Sequence, residues 1–343
     1  VMLAEMVSPE GITSFESRQS VWTGIRSEPI QVPDSPWAPV VKRAVAKDPE
    51  ERFQSAHELT RALEEVAFRV HDETGLEPYP GLSSFDEEDS EYFFGREAEV
   101  EAVWQKLESA QLLGVIGASG SGKSSFIGAG LVPSAPEGWS IIRCTPGNAA
   151  VDSLRRAVIP EIEDDPEAVR SLAAGGGDAI AEAFDVWRRR HDQALLVVDQ
   201  FEELFTQNTE EEQQRSAEVL GRIALDADVH VLLAMRDDFL MRCHPHEQLR
   251  PMFSELTGLD TPHGSALRRA VVQPALRCGY RFEDEELADE ILAEVEGERG
   301  ALPLLAFALA RLWEKRDRDN GIITRQAYRD IGGVGGALAQ HAE

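Results

Sequence analysis

Nine residues, GASGSGKSS from Gly117 to Ser125, constrain this chain more than any other stretch. They fit the spacing G-x-x-x-x-G-K-[ST], with Gly117, Gly122, Lys123 and Ser124 at the fixed positions. An apolar run, LLGVI (112–116), stands directly before them, and a helical stretch, KSSFIGAGL, directly after. Glycines let the backbone bend until the N–H groups of Ala118, Ser119, Gly120 and Ser121 point inward at phosphate oxygens. Lys123 then reaches the β and γ phosphates, Ser124 offers a hydroxyl to magnesium, and the helix that follows adds its N-terminal dipole through Ser125. Average residue usage gives a chance match in roughly one chain of this length in a hundred. The strand before and the helix after are what separate this stretch from a plain glycine-rich turn.

Three further apolar runs follow: SIIRC (140–144), ALLVV (194–198) and VHVLLAM (229–235). Short continuous apolar runs separated by helical stretches predict a parallel sheet covered on both faces, hence an α/β fold. The run at 194–198 ends in Asp199, the form of a Walker B element whose carboxylate supplies a second magnesium contact. Glu202 and Glu203 come next, and one of them is placed to polarise an attacking water; Glu203 is the first choice and Glu202 the alternative. Both also suit a helix's first turn as plain favourable charges. Arg236 ends the next run, where a strand's carboxyl end faces the ligand crevice, so it is placed to sense the γ-phosphate. A surface ion pair with Asp237 or Asp238 is the plainer use of the same side chain.

The 343 residues include 42% hydrophobic and 28% charged, a profile that buries a core. A formal net charge of -28 argues against general binding to nucleic acid or anionic lipid. Cys144, Cys243 and Cys278 fit no zinc spacing or disulfide framework and suit a reducing cytoplasm. His244 and His246 have no partnering cluster. The longest apolar stretch, Ala301 to Trp313, is too short to span a bilayer and contains Arg311.

Residues 1–70 read as helical after a loop-like start. One pattern uses Val40, Val41, Ala44 and Val45 and stops at Asp48-Pro49; a second has Ser55 as N-cap with Glu58 three residues on, and an apolar face of Leu59, Leu63, Val66 and Val70. The Gly-, Pro- and acid-rich stretch that follows reads as a linker, here 71–82. The remainder divides into an NTPase core over 83–262, a helical lid over 263–318 and a final segment over 319–343; beyond about residue 265 every element reads as helical.

With these residues placed, a resemblance is evident. PYPGLSSFDEEDSEYFFGREAEVEAVWQKL, GVIGASGSGKSSFIGAGLVP, LLVVDQFEELF, LLAMRDDFL and GALPLLAFALARLWE resemble, in order, the bacterial novel STAND NTPases, signalling ATPases related to the NACHT and apoptotic groups. The resemblance runs from about Pro78 to the end. It implies a P-loop fold of the ASCE type and ATP or ADP with Mg2+ as the bound species. It implies that Gly95 and Arg96 lie near the base, that Asp199 is the magnesium-site aspartate and Glu203 the last acid of the Walker B signature, that Arg236 is a sensor, and that Pro303 on the lid touches adenine and the β-phosphate. It also implies that the final segment begins a winged helix, that hydrolysis is slow and resets a switch, and that sensor or effector regions and nucleotide-dependent homo-oligomers supply the protein partners.

The first 70 residues resemble a different family, the C-terminal end of a Ser/Thr protein kinase domain, in AVAKDPEERFQSAHELTRALEE and MLAEMVSPEGITSFESRQSVWTGIRSEPI. Arg52 takes the place of an arginine whose glutamate partner this chain lacks. No glycine-rich kinase lid, catalytic-loop aspartate or DFG is present, so this stretch transfers no phosphate. The resemblance implies a larger kinase–STAND fusion. Two other readings stay open: the regulatory module of an active kinase, or a scaffold that binds ATP without hydrolysing it.

Overall fold

A computed structural model describes residues 38–46, 48–56, 58–60, 62–63, 77–295 and 300–339. The apolar runs form five parallel strands: β1 (Leu112–Gly117), β2 (Trp139–Cys144), β3 (Gln193–Val198), β4 (His230–Arg236) and β5 (Leu256–Gly258). Their order is β2-β3-β4-β1-β5. This is the parallel α/β sheet that the sequence predicts, with one short strand, β5, that its three residues were too few to announce.

Why the runs are continuous rather than alternating follows from what covers them. Leu112, Leu196, Val198, Val231, Leu233 and Met235 pack into one core, under the helices Ala150–Ile162, Pro166–Ala174, Gly177–Arg188 and Glu210–Leu225. Their neighbours Leu113, Val115, Leu195, Val197, Leu232 and Ala234 point the opposite way, into a core with Val103, Trp104 and Leu107 of the helix Glu97–Leu107 and with Phe126, Ile127 and Leu131 behind the P-loop. Successive strand residues alternate faces, and here both faces are buried.

Register places the chemistry. β4 lies between β1 and β3, with Gly117 opposite Arg236 and Val198 opposite Leu233. The carboxyl ends of the strands that carry Gly117, Arg236 and Asp199 therefore open side by side. The P-loop helix begins at Lys123 and widens at Phe126–Leu131 into π-type turns, where Val132 donates to the Ile127 carbonyl at 3.0 Å. Such turns recur at functional sites.

A third core belongs to the C-terminal region. Helices Gly264–Arg277, Glu285–Val295, Ala301–Glu314, Arg325–Asp330 and Gly333–Ala339 share it through Val271, Leu287, Leu305, Leu312, Tyr328 and Val334. One departure from the sequence reading appears here. The region is not wholly helical, because β6 (Arg281–Phe282) pairs in parallel with β7 (Ile322–Ile323). Residues of the final segment share this third core, with Ile323, Tyr328, Ile331, Val334 and Ala337 buried in it.

The described end of the stretch assigned to a linker, residues 77–82, is built in as well. Tyr79 is 5% exposed and belongs to this third core, with its ring edge-on to Trp313 at 6.0 Å. Its hydroxyl donates to the Val271 carbonyl at 2.5 Å and accepts from the Ala275 amide at 3.2 Å. Those groups flank Pro274, which lies inside the helix and offers no N–H. An interior proline costs a helix about 3 kcal/mol, and polar contacts at the disturbed turn offset part of that.

In the N-terminal part, Ala38–Ala44 is a helix with Ala38, Val40 and Val41 buried. The Ser55 hydroxyl accepts from the Glu58 amide at 3.1 Å, the expected cap. Arg43 pairs with Glu58, and the Arg52 Nε donates to the Ala46 carbonyl at 2.7 Å. Val66, Val70 and most of the stretch resembling a kinase lie outside the described residues. Among the described residues no helix is long and apolar enough to cross a membrane.

Candidate nucleotide site

At the carboxyl end of the sheet lies a cavity of about 380 Å³, within the range that holds a small ligand. Its floor is the P-loop from Ser119 to Ser125. Asp199, Glu202 and Arg236 form one wall, and Leu302 and Pro303 of the lid helix form part of the other.

Lys123 is half-buried and donates from Nζ to the Gly117 carbonyl at 2.9 Å and the Ala118 carbonyl at 3.0 Å. Gly117 and Ala118 thus hold the lysine and do not line the cavity themselves. Burial lowers the Lys123 pKa below the ordinary lysine range, while Glu202, Asp199 and Asp237 pull it back up. A cation held in a partly dry cleft with few close counter-ions suits an arriving phosphate. The Ser121 hydroxyl is 1% exposed and has no hydrogen-bond partner. A desolvated cation at the end of a glycine-rich loop is a feature that a bound phosphate satisfies, so these residues fit a nucleotide.

Magnesium fits too. Ser124 and Asp199 both line the cavity, and Asp199 is 6% exposed with one oxygen accepting from the Gln200 amide at 2.8 Å. Among the described residues no group of three or more His, Cys, Asp or Glu stands ready to hold a metal alone. A small donor set matches an ion that takes most of its ligands from phosphates and water. His246, one of the two loop histidines, instead contacts the Gln214 Oε1 at 3.2 Å.

The two candidate glutamates part company. Glu202 lines the cavity, and its Oε2 accepts from the Arg236 backbone amide at 3.3 Å. Glu203 turns away from it: its Oε2 accepts from the Gly147 amide at 3.0 Å, and Asn208 fastens the same loop by donating to the Gly147 carbonyl at 2.7 Å. Glu203 therefore fastens the loop after β2, and of the two only Glu202 lines the cavity. Arg236 lines the cavity with its guanidinium paired two-pronged to Asp238, at 3.0 and 2.7 Å. That pairing holds the Arg236 pKa above its ordinary value.

Arg96 and Gly95 support the site more than they line it. Arg96 is 6% exposed, touches the cavity, and spends its guanidinium on the Ser121 carbonyl at 3.0 Å and the Asp260 carbonyl at 2.5 Å. It braces the P-loop against the segment after β5. Gly95 has φ +90° and faces away from the cavity: a Cβ there would lie 2.3 Å from the Ala266 carbonyl oxygen. Pro303 does reach the P-loop. A Cβ on Gly120, itself at φ +75°, would lie 3.0 Å from Pro303 Cγ.

What sequence reasoning passed over is the stretch Tyr79–Phe85, all of whose residues line the cavity. Its aromatic residues at 79 and 85 and its length without a polar run were the available signal; its Pro, Gly and Ser content pointed to a linker instead.

Sheet order, P-loop and flanking carboxylate together define a P-loop NTPase. The model of the family Novel STAND NTPase 1 matches residues 78–343, and the chain belongs to that family of nucleotide-binding NTPases. No curated protein matches the sequence. Among solved structures, it is similar to a Walker-type ATPase of Pyrococcus abyssi at 12% identity, covering 69% of this chain and 72% of that one, with a TM-score of 0.49. The ORC2 protein of Aeropyrum pernix, solved in ADPNP–ADP complexes, gives 16% identity, 68% of each chain and a TM-score of 0.47. Domain III of the Thermotoga maritima replication initiation protein DnaA gives 13%, 64% of this chain, 84% of that one and 0.41.

Proposed function

We propose that this chain is an ATP-binding, slowly hydrolysing signalling switch, ADP-bound and closed at rest and ATP-bound and open when engaged. The observation that carries the reading is the contact of Pro303, on a separately cored helical region, with Gly120 in the phosphate loop. A lid that rests on the phosphate loop is biased by what the loop holds.

Each residue has a distinct task in this reading. The P-loop amides and Lys123 bind and orient the phosphates. Ser124 and Asp199 hold magnesium, which neutralises phosphate charge when bound. Glu202, which lines the same cavity as Lys123, orients and deprotonates water. Arg236 exchanges Asp238 for the γ-phosphate and so senses it. The cytoplasmic setting, the kinase–STAND fusion and the bacterial source rest on the resemblances and the three free cysteines, as do nucleotide-dependent oligomers and further sensor or effector partners.

Turnover tests the assignment. Glu202→Gln should lower the hydrolysis rate at least about 100-fold with little effect on nucleotide affinity, the range of a positioned general base. Glu203→Gln should lower it far less. Equal, measurable rates in Glu202→Gln and the unchanged protein would overturn Glu202 as the base, and no turnover in the unchanged protein would favour a scaffold that binds ATP without hydrolysis.

A further inference from the structure

Tyr79–Phe85 lines the cavity, and the segment to Asp86 is fastened at both ends. At the lid end stand the Tyr79 bonds to Val271 and Ala275, beside Pro274. At the core end the Phe85 amide donates to the Ser125 hydroxyl at 3.2 Å, and Asp86 accepts from Arg143 of β2 at 2.7 Å. Between the two lie Pro80–Ser84, which line the cavity, with Leu82 61% exposed at the rim.

We propose that this segment is a strap that couples phosphate occupancy at Ser125 to the angle of the lid, with Tyr79 the positioning residue for the helix Gly264–Arg277. The proposal rests on the nucleotide reading of the cavity. Ser125 is the joint. Its oxygen accepts from Phe85, so its own proton remains for an acceptor in the cavity. A phosphate oxygen there polarises the hydroxyl and strengthens the Phe85 bond, because chained hydrogen bonds reinforce one another. Loss of that acceptor weakens the strap's hold on the core. The strap passes the change to Tyr79, and Tyr79 to the helix beside Pro274, in which Ala270, one turn earlier, also lines the cavity.

Amide hydrogen exchange tests the linkage without nucleotide. Tyr79→Phe keeps the ring and should speed exchange at Ala275 by about 3- to 10-fold, the range of one lost hydrogen bond. Ser125→Ala, at the strap's other end, should also speed exchange at Ala275. A purely structural Tyr79 would leave Ala275 indifferent to Ser125, and that result overturns the proposal. With fluorescent N-methylanthraniloyl-ADP and magnesium, the two substitutions should combine non-additively. The double variant's Kd should depart from the product of the single effects by more than about threefold. A smaller departure overturns the coupling to phosphate. If the unchanged protein fails to bind the probe, the nucleotide reading falls, while the response of Ala275 to Ser125→Ala still decides whether the strap links core and lid.

Discussion

Pro303 of the lid helix rests on Gly120 of the P-loop, so close that one added methyl at Gly120 would come within 3.0 Å of the proline ring. The lid is thereby seated on the phosphate loop itself. Pro303→Ala should loosen that seat and speed ADP release by about 3- to 10-fold while the cooperative unfolding of the core is unchanged, because only one apolar contact is lost. Gly120→Ala should act in the same direction and more strongly, since it adds a left-handed side chain to the collision. Stopped-flow displacement of a fluorescent ADP reads both. Release rates like that of the unchanged protein would separate the lid from the nucleotide.

Lys123 gives the site a pH dependence with a definite sign. Burial lowers its folded pKa, and bound phosphates favour its charged form. Above the depressed pKa the free protein has lost the proton, so binding must recover it. Nucleotide affinity should fall as pH rises through that window, by up to about tenfold per unit for one proton. The fold without nucleotide moves the other way: the unfolded chain keeps the proton longer, so stability rises with pH across the same window. Calorimetric titration in two buffers of different ionisation enthalpy should show uptake of a proton on the alkaline side. Flat affinity up to the ordinary lysine range would contradict the assignment.

Arg236 is divided between Asp238 and the cavity. Asp238→Asn should free the guanidinium and tighten binding of a triphosphate relative to a diphosphate by several-fold, because a charged donor then meets the extra phosphate. Arg236→Ala should abolish that preference and leave ADP affinity nearly intact. Paired affinities for ADP and a non-hydrolysable ATP analogue measure it.

Gly95 tests the frame rather than the chemistry. Gly95→Ala puts a Cβ 2.3 Å from the Ala266 carbonyl at φ +90°. Strain of this kind costs about 1–3 kcal/mol before the clash is counted. Thermal unfolding should shift down by several degrees, and an unchanged midpoint would show that helix Gly264–Arg277 yields freely.

The cysteines should be slow to react. Burial pushes the thiols of Cys144 and Cys243 up to about 12 and that of Cys278 up to about 11. At neutral pH almost no thiolate forms. Titration with a thiol reagent should label the folded protein far more slowly than the unfolded one.

What the sequence discloses divides along the range of the interactions. β1 to β4 and the P-loop are legible because each is a local pattern: a continuous apolar run, a glycine spacing, an acid at a strand's end. β5, β6 and β7 have too few residues to carry a period. That Glu202 lines the cavity while Glu203 holds Gly147 follows a bend at which Gln200 takes φ 50°. No spacing rule predicts that angle. Tyr79 is hidden for a related reason: its partners Val271 and Ala275 lie almost two hundred residues away, and local composition there reads as a linker.

The proposed switch is tested most directly by amide hydrogen exchange in the helix Ala301–Glu314, with magnesium and either ADP or a non-hydrolysable ATP analogue. The lid's contact with Gly120 predicts protection with ADP and at least about tenfold faster exchange with the ATP analogue, equivalent to about 1.4 kcal/mol of differential closure. Equal protection with both nucleotides, each shown to be bound, would contradict a lid that reads the γ-phosphate.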